Sequence, residues 1–105
     1  MSRGVPRLIP VLIAFPTGGE RLESWGRLLE VRAAGASLMT RARLERGDAV
    51  KLGFELPGER LEDVAAEVVK SSLDPDGYTV CDLLFNDEEL QVRLGRSLRR
   101  ILAAG

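Results

Sequence analysis

The sequence predicts a mainly β domain: an antiparallel sheet of about six short strands, curled into a barrel or sandwich and followed by one C-terminal helix. Three observations carry this. Turn signals recur at hairpin spacing: PTGG at 16–19, LERGD at 44–48, PG at 57–58 and DPDG at 74–77. The segment AVKLGFEL at 49–56 alternates strictly, with Val50, Leu52, Phe54 and Leu56 on one face and Lys51, Gly53 and Glu55 on the other. Near the end the period changes to that of a helix, with Leu90, Leu94, Leu98, Ile101 and Leu102 in one apolar stripe.

Taken in order, LIPVLIAF at 8–15 reads as a first strand, and Pro10 near its start suggests an edge or a bend. Residues 20–31 fit either state. Leu22, Trp25, Leu28 and Leu29 have helical spacing, but the Trp25-Gly26 pair makes a poor helix interior. A short strand is expected at 36–40, then a turn in which Gly47 suits positive φ. Residues 61–72 are again open, with Ala and Glu favouring helix and Val64, Val68 and Val69 favouring strand. A strand over 77–85 leads into a helix predicted at 87–103. Asn86 is its expected cap, Glu89 stands at the capping-box position, acids fill the first turn, and Arg96, Arg99 and Arg100 lie toward the last.

At 105 residues the chain has the length of one domain, and a formal net charge of −1 creates no long-range field for nucleic acid or anionic lipid. DNA and RNA are therefore not expected, and the apolar run at 8–15, interrupted by Pro10, reads as a strand rather than a membrane helix. There is no histidine and one cysteine, Cys81, so a disulfide, a zinc site and histidine acid–base catalysis are not supported. Neither a Walker loop nor a dinucleotide glycine fingerprint occurs. The expectation is a non-enzymatic, cytoplasmic binding domain without a cofactor.

Arg3 and Arg7 stand four apart in the leader RGVPR. Then come Glu30-Val31-Arg32-Ala33-Ala34-Gly35, a short strand, the turn at Gly47, VKLGFEL, Leu56-Pro57-Gly58, AAEVV, a tyrosine-bearing strand ending at Phe85, and a terminal helix. In this order and spacing the chain resembles the PilZ domain family over essentially its whole length. The resemblance implies a six-stranded antiparallel β-barrel with a C-terminal helix, with 20–31 and 61–72 both strands. It divides the chain into an N-terminal arm, 1–7, carrying R-x-x-x-R, and a barrel with its helix, 8–105.

The resemblance also implies a receptor or adaptor for cyclic di-GMP, acting on an unidentified protein partner. The site it implies comprises Arg3, Arg7, Glu30, Arg32 and Gly35. Guanidinium groups suit the ligand because they fork onto phosphate or guanine O6/N7 and stack on bases. The family pattern is R-x-x-x-R followed by [D/N]-x-S-x-x-G. Here Glu30 stands at the Asp/Asn position and Arg32 at the Ser position, and Asp82 stands where many relatives have glycine. Weakened binding is the expected consequence, and the alternative is a PilZ-like protein–protein interaction module that does not bind cyclic di-GMP. Arg32 and Glu30, two residues apart, could equally pair with each other. Gly35 is expected to supply a turn conformation that other residues resist. Trp25 is expected as a core residue or a barrel-face anchor, and Cys81 as buried packing.

Overall fold

In the computed structural model the backbone is described for residues 5–17 and 20–104, and side chains for 8–15 and 22–103. Six strands, β1 (Val5–Thr17), β2 (Glu20–Val31), β3 (Gly35–Thr40), β4 (Ala49–Leu56), β5 (Glu59–Leu73) and β6 (Thr79–Leu84), precede one helix, α1 (Glu88–Ala104). They close into an antiparallel barrel in the order β1-β2-β3-β6-β5-β4, with β1 returning to β4. Pro10 pairs with Arg27 of β2 and stands at a local edge on its other side. It lies one residue before the β1–β4 pairing begins at Val11, so its missing N–H removes no bond of that ladder.

The alternation expected in β4 is present, with Val50, Leu52, Phe54 and Leu56 buried. Both segments that composition left open are strands, and each contains a β-bulge. In β2 the register shifts between Leu28 and Glu30, so buried Leu28 and Val31 stand three apart rather than two. In β5 two residues, Glu62 and Asp63, oppose Gly53 alone, and buried Leu61 and Val64 are likewise three apart. One extra residue per bulge imitates helical spacing over a short window. Asp63 takes φ 52°, a left-handed conformation that aspartate tolerates better than most residues.

The starts of β1, β3 and β5 and the ends of β2, β4 and β6 share one end of the barrel. Helix α1 closes that end. Leu94, Leu98 and Ile101 join the barrel core beside fully buried Phe85. The cap is Asp87 rather than Asn86: its Oδ1 accepts from the backbone N–H groups of Glu89 and Leu90. Because the helix runs to Ala104, no basic residue falls in its last turn, contrary to the expected dipole pairing.

A polar clamp fixes the helix to the β4–β5 turn. Glu59 Oε2 accepts from Arg93 Nε at 2.7 Å, and Oε1 accepts from the buried Ser97 hydroxyl at 2.6 Å. The Ser97 and Arg93 hydrogen bonds hold the Glu59 carboxyl below its ordinary value. A depressed carboxylate contributes stability above its unfolded value, near 4.5, and loses it as pH falls toward the folded value. Glu59→Gln is therefore expected to lower stability at neutral pH by about 1–2 kcal/mol and to flatten the fall in stability below about pH 4.5. Urea unfolding of both proteins across this range checks it. Parallel pH curves would show that Glu59 does not anchor the helix.

Candidate functional site

Of the candidate site residues, Glu30, Arg32 and Gly35 lie at the helix-closed end. Val5 pairs with Val31 and Pro6 with Glu30, so the leader strand runs beside the Glu30–Gly35 segment. β1 begins at Val5, making Arg7 a strand residue rather than part of a free arm. Between Pro6↔Glu30 and Ile9↔Leu28, Arg7 and Leu8 together oppose Leu29, a further bulge. Arg3 and the Arg7 side chain lie outside the described residues.

Glu30 and Arg32 are half-buried and bonded to each other, Arg32 Nη1 donating to Glu30 Oε1 at 3.1 Å. This is a pair of opposite charges already satisfied without a ligand. Arg32 and Gly35 also close the β2–β3 turn through mutual backbone bonds, and Phe85 N donates to Ala34 O at 2.8 Å.

Gly35 serves differently from the expectation. Its φ is not positive; Gly47, Gly58 and Gly77 are the described glycines with positive φ. What requires glycine is proximity, since a Cβ at position 35 would collide with the Leu83 carbonyl oxygen of β6.

The register brings in residues that the linear motif does not contain. Glu30 pairs with Ser37, Ser37 with Asp82, and Asp82 with Lys70, a row across β2, β3, β6 and β5. Directly paired residues project from the same face, and this row faces outward because Val31, Ala36, Leu38, Cys81 and Leu83 fill the interior. Ser37 Oγ donates to Asp82 Oδ1 at 3.1 Å. A hydroxyl is thus present beside Glu30, one strand away from the position at which the motif would place it. Spacing along the chain could not reveal Ser37 or Lys70, because long-range register brings them there. Glu30 and Asp82 balance Arg32 and Lys70, so this part of the surface offers hydrogen bonds in both senses without a net positive field.

Other candidate features lie elsewhere. Cys81 points inward and is buried, and desolvation pushes its thiol up, which disfavours the reactive thiolate. Trp25 is 67% exposed rather than part of the core. Paired with Leu12, which pairs in turn with Gly53, it borders a groove of about 460 Å³ over β1, β4 and β5, away from the Glu30 row. Arg41 stacks on Tyr78 at 4.5 Å, at the opposite end of the barrel from α1. Among the described residues no cluster of His, Cys, Asp or Glu could hold a metal, and no helix is long and apolar enough to cross a membrane.

No protein-family model and no curated protein matches the chain. Solved structures do. The chain is similar to YcgR of Escherichia coli, crystallised in complex with c-di-GMP (TM-score 0.74, 12% identity), covering 98% of this chain and 46% of that one. It is similar to the Bacillus subtilis inhibitor of motility MotI/DgrA (TM-score 0.65, 18% identity), covering 97% and 51%. It thus spans about half the length of these two proteins. A third similar structure is the PilZ domain of CeSA from a cellulose-synthesizing bacterium (TM-score 0.63, 21% identity), covering 93% of this chain and 99% of that domain. Barrel order, terminal helix and this coverage agree: the chain has the PilZ-domain fold.

Proposed function

We propose that this is a non-enzymatic, cytoplasmic signalling domain of the cyclic di-GMP system, a receptor or adaptor that binds the nucleotide weakly and acts on a protein partner. The observation that carries this reading is the 3.1 Å bond from Arg32 to Glu30. The carboxylate assigned by resemblance to guanine is engaged by the side chain standing where the family has serine. A ligand using Glu30 must compete with that guanidinium or share the carboxylate with it. Arg7, on the strand beside Glu30, supplies the guanidinium that the ligand's phosphates or guanines need, together with Arg3 of the leader.

Calorimetric titration with cyclic di-GMP tests this. Wild type is expected to bind weakly, Arg32→Ser about tenfold more tightly, and Arg7→Ala not measurably. Tight binding by wild type that Arg32→Ser weakens would reverse the role given to Arg32.

A second reading, a PilZ-like protein–protein interaction module without nucleotide binding, is favoured by one observation: the exposed indole of Trp25 beside an outer groove. No heat with either wild type or Arg32→Ser would select it.

A further inference from the structure

The exposed face of α1 carries charges that its own helix does not satisfy. Arg96 has Val92, Arg93, Arg99 and Arg100 at the positions three and four residues away. Arg99 has Gly95 and Arg96 on its N-terminal side. No acid therefore occupies the spacing at which helix neighbours meet, and like charges at that spacing are unfavourable. Arg93 is taken by Glu59 and Arg100 donates to Ser97. Among the described residues, Glu88, Arg96 and Arg99 have no ion-pair partner. The helix dipole does not explain the arginines, since its influence is confined to the terminal turn, where no basic residue lies.

At the middle of this face is Val92, 61% exposed. Glu88 precedes it by four residues and Arg96 follows it by four, each about 6 Å along the axis. An antiparallel copy of the helix with its twofold axis at Val92 sets valine on valine and Glu88 opposite Arg96, twice by symmetry. Arg99 then falls near the partner's Asp87 end.

We propose that α1 is a self-association surface, and that its occupant is a second copy of this chain docked antiparallel through Glu88, Val92, Arg96 and Arg99. A wholly acidic protein or an anionic membrane would meet the arginines but be repelled by Asp87, Glu88 and Glu89, and the exposed face carries no aromatic side chain to insert into lipid. The contact is small, below the roughly 1,200 Å² of a stable interface, so the dimer is transient and salt-sensitive.

Sedimentation of the chain from micromolar to near-millimolar concentration, at low and high salt, tests this. A dimer that weakens with salt is expected. Arg96→Glu should raise its dissociation constant about tenfold or more, and Glu88→Arg combined with Arg96→Glu should restore it. Far-UV circular dichroism verifies that each variant keeps its helix. Under mild oxidation Val92→Cys should form a covalent dimer, while Lys70→Cys, on the barrel wall, should not. Buried Cys81 is no competing thiol. A monomer at every concentration, failure of the double reversal to rescue, or binding to phosphatidylglycerol vesicles without self-association would overturn the proposal.

Discussion

Gly35→Ala is expected to destabilise the domain by about 3 kcal/mol or more, a large share of the 5–15 kcal/mol that holds a small domain together. The added methyl group would meet the Leu83 carbonyl oxygen, a backbone atom that hydrogen bonding holds in the β3–β6 ladder. Neither a rotamer change nor a small side-chain shift relieves such a collision, so two paired strands must separate. Gly53→Ala is the control. There the nearest atoms are the Leu61 oxygen at 3.9 Å and the Leu12 Cβ at 4.0 Å, and φ is not positive. It should be neutral or stabilising by up to about 1 kcal/mol, because alanine restricts the unfolded chain. Urea unfolding of the two variants gives the comparison, and equal stabilities would refute the steric role of Gly35. The result also bears on function. Lost ligand binding in Gly35→Ala would report a damaged barrel, whereas Arg32→Ser probes the site itself.

Phe85→Ala should cost about 3–5 kcal/mol, the range for emptying a buried aromatic site. Phe85 is fully buried between the barrel and α1. Its backbone is engaged on both sides: the N–H donates to Ala34 O in the motif turn, and the carbonyl accepts from the Gln91 side chain of the helix. Truncation leaves these bonds intact and removes a ring from the core cluster to which Leu94 and Leu98 of the helix also belong. Chemical denaturation should show the loss. Hydrogen exchange should place the largest drop in protection in α1 and the β2–β3 turn. A loss under 1 kcal/mol, or exchange confined to other strands, would mean that Phe85 does not join helix and motif.

These two residues show how unequally the chain discloses itself. In the sequence Phe85 reads as the end of a strand ahead of a helix; β6 ends one residue earlier, at Leu84, and Phe85 leads from it toward α1. Gly35 was legible as a required glycine, but for the wrong reason. The approach of β6 to β3 joins residues far apart in sequence, and nothing near Gly35 encodes it. The same limit hid Ser37 and Lys70, which reach the Glu30 row through pairing across four strands. Trp25 was ambiguous because an indole suits a core or an exposed anchor equally; which way it faces depends on the phase of β2.

Local sequence alone determined the alternation of β4, the turns at Gly47, Gly58 and Gly77, and the apolar stripe of α1 save Leu102, which is exposed, since each depends on residues within a few positions of one another. Local composition left β2 and β5 open and only the whole-chain resemblance implied strands there; the tertiary structure supplies the physical reason. Their bulges shift the buried face by one residue and produce a spacing that a helix would share, and pairing of β2 with β1 and β3, and of β5 with β4 and β6, settles the choice by satisfying backbone groups that an unpaired strand would leave open. Tertiary structure also decided that Arg32 meets Glu30. Two charges two residues apart can each point to solvent, and the β2–β3 turn, pinned by Phe85 and by the close contact at Gly35, holds them within bonding distance.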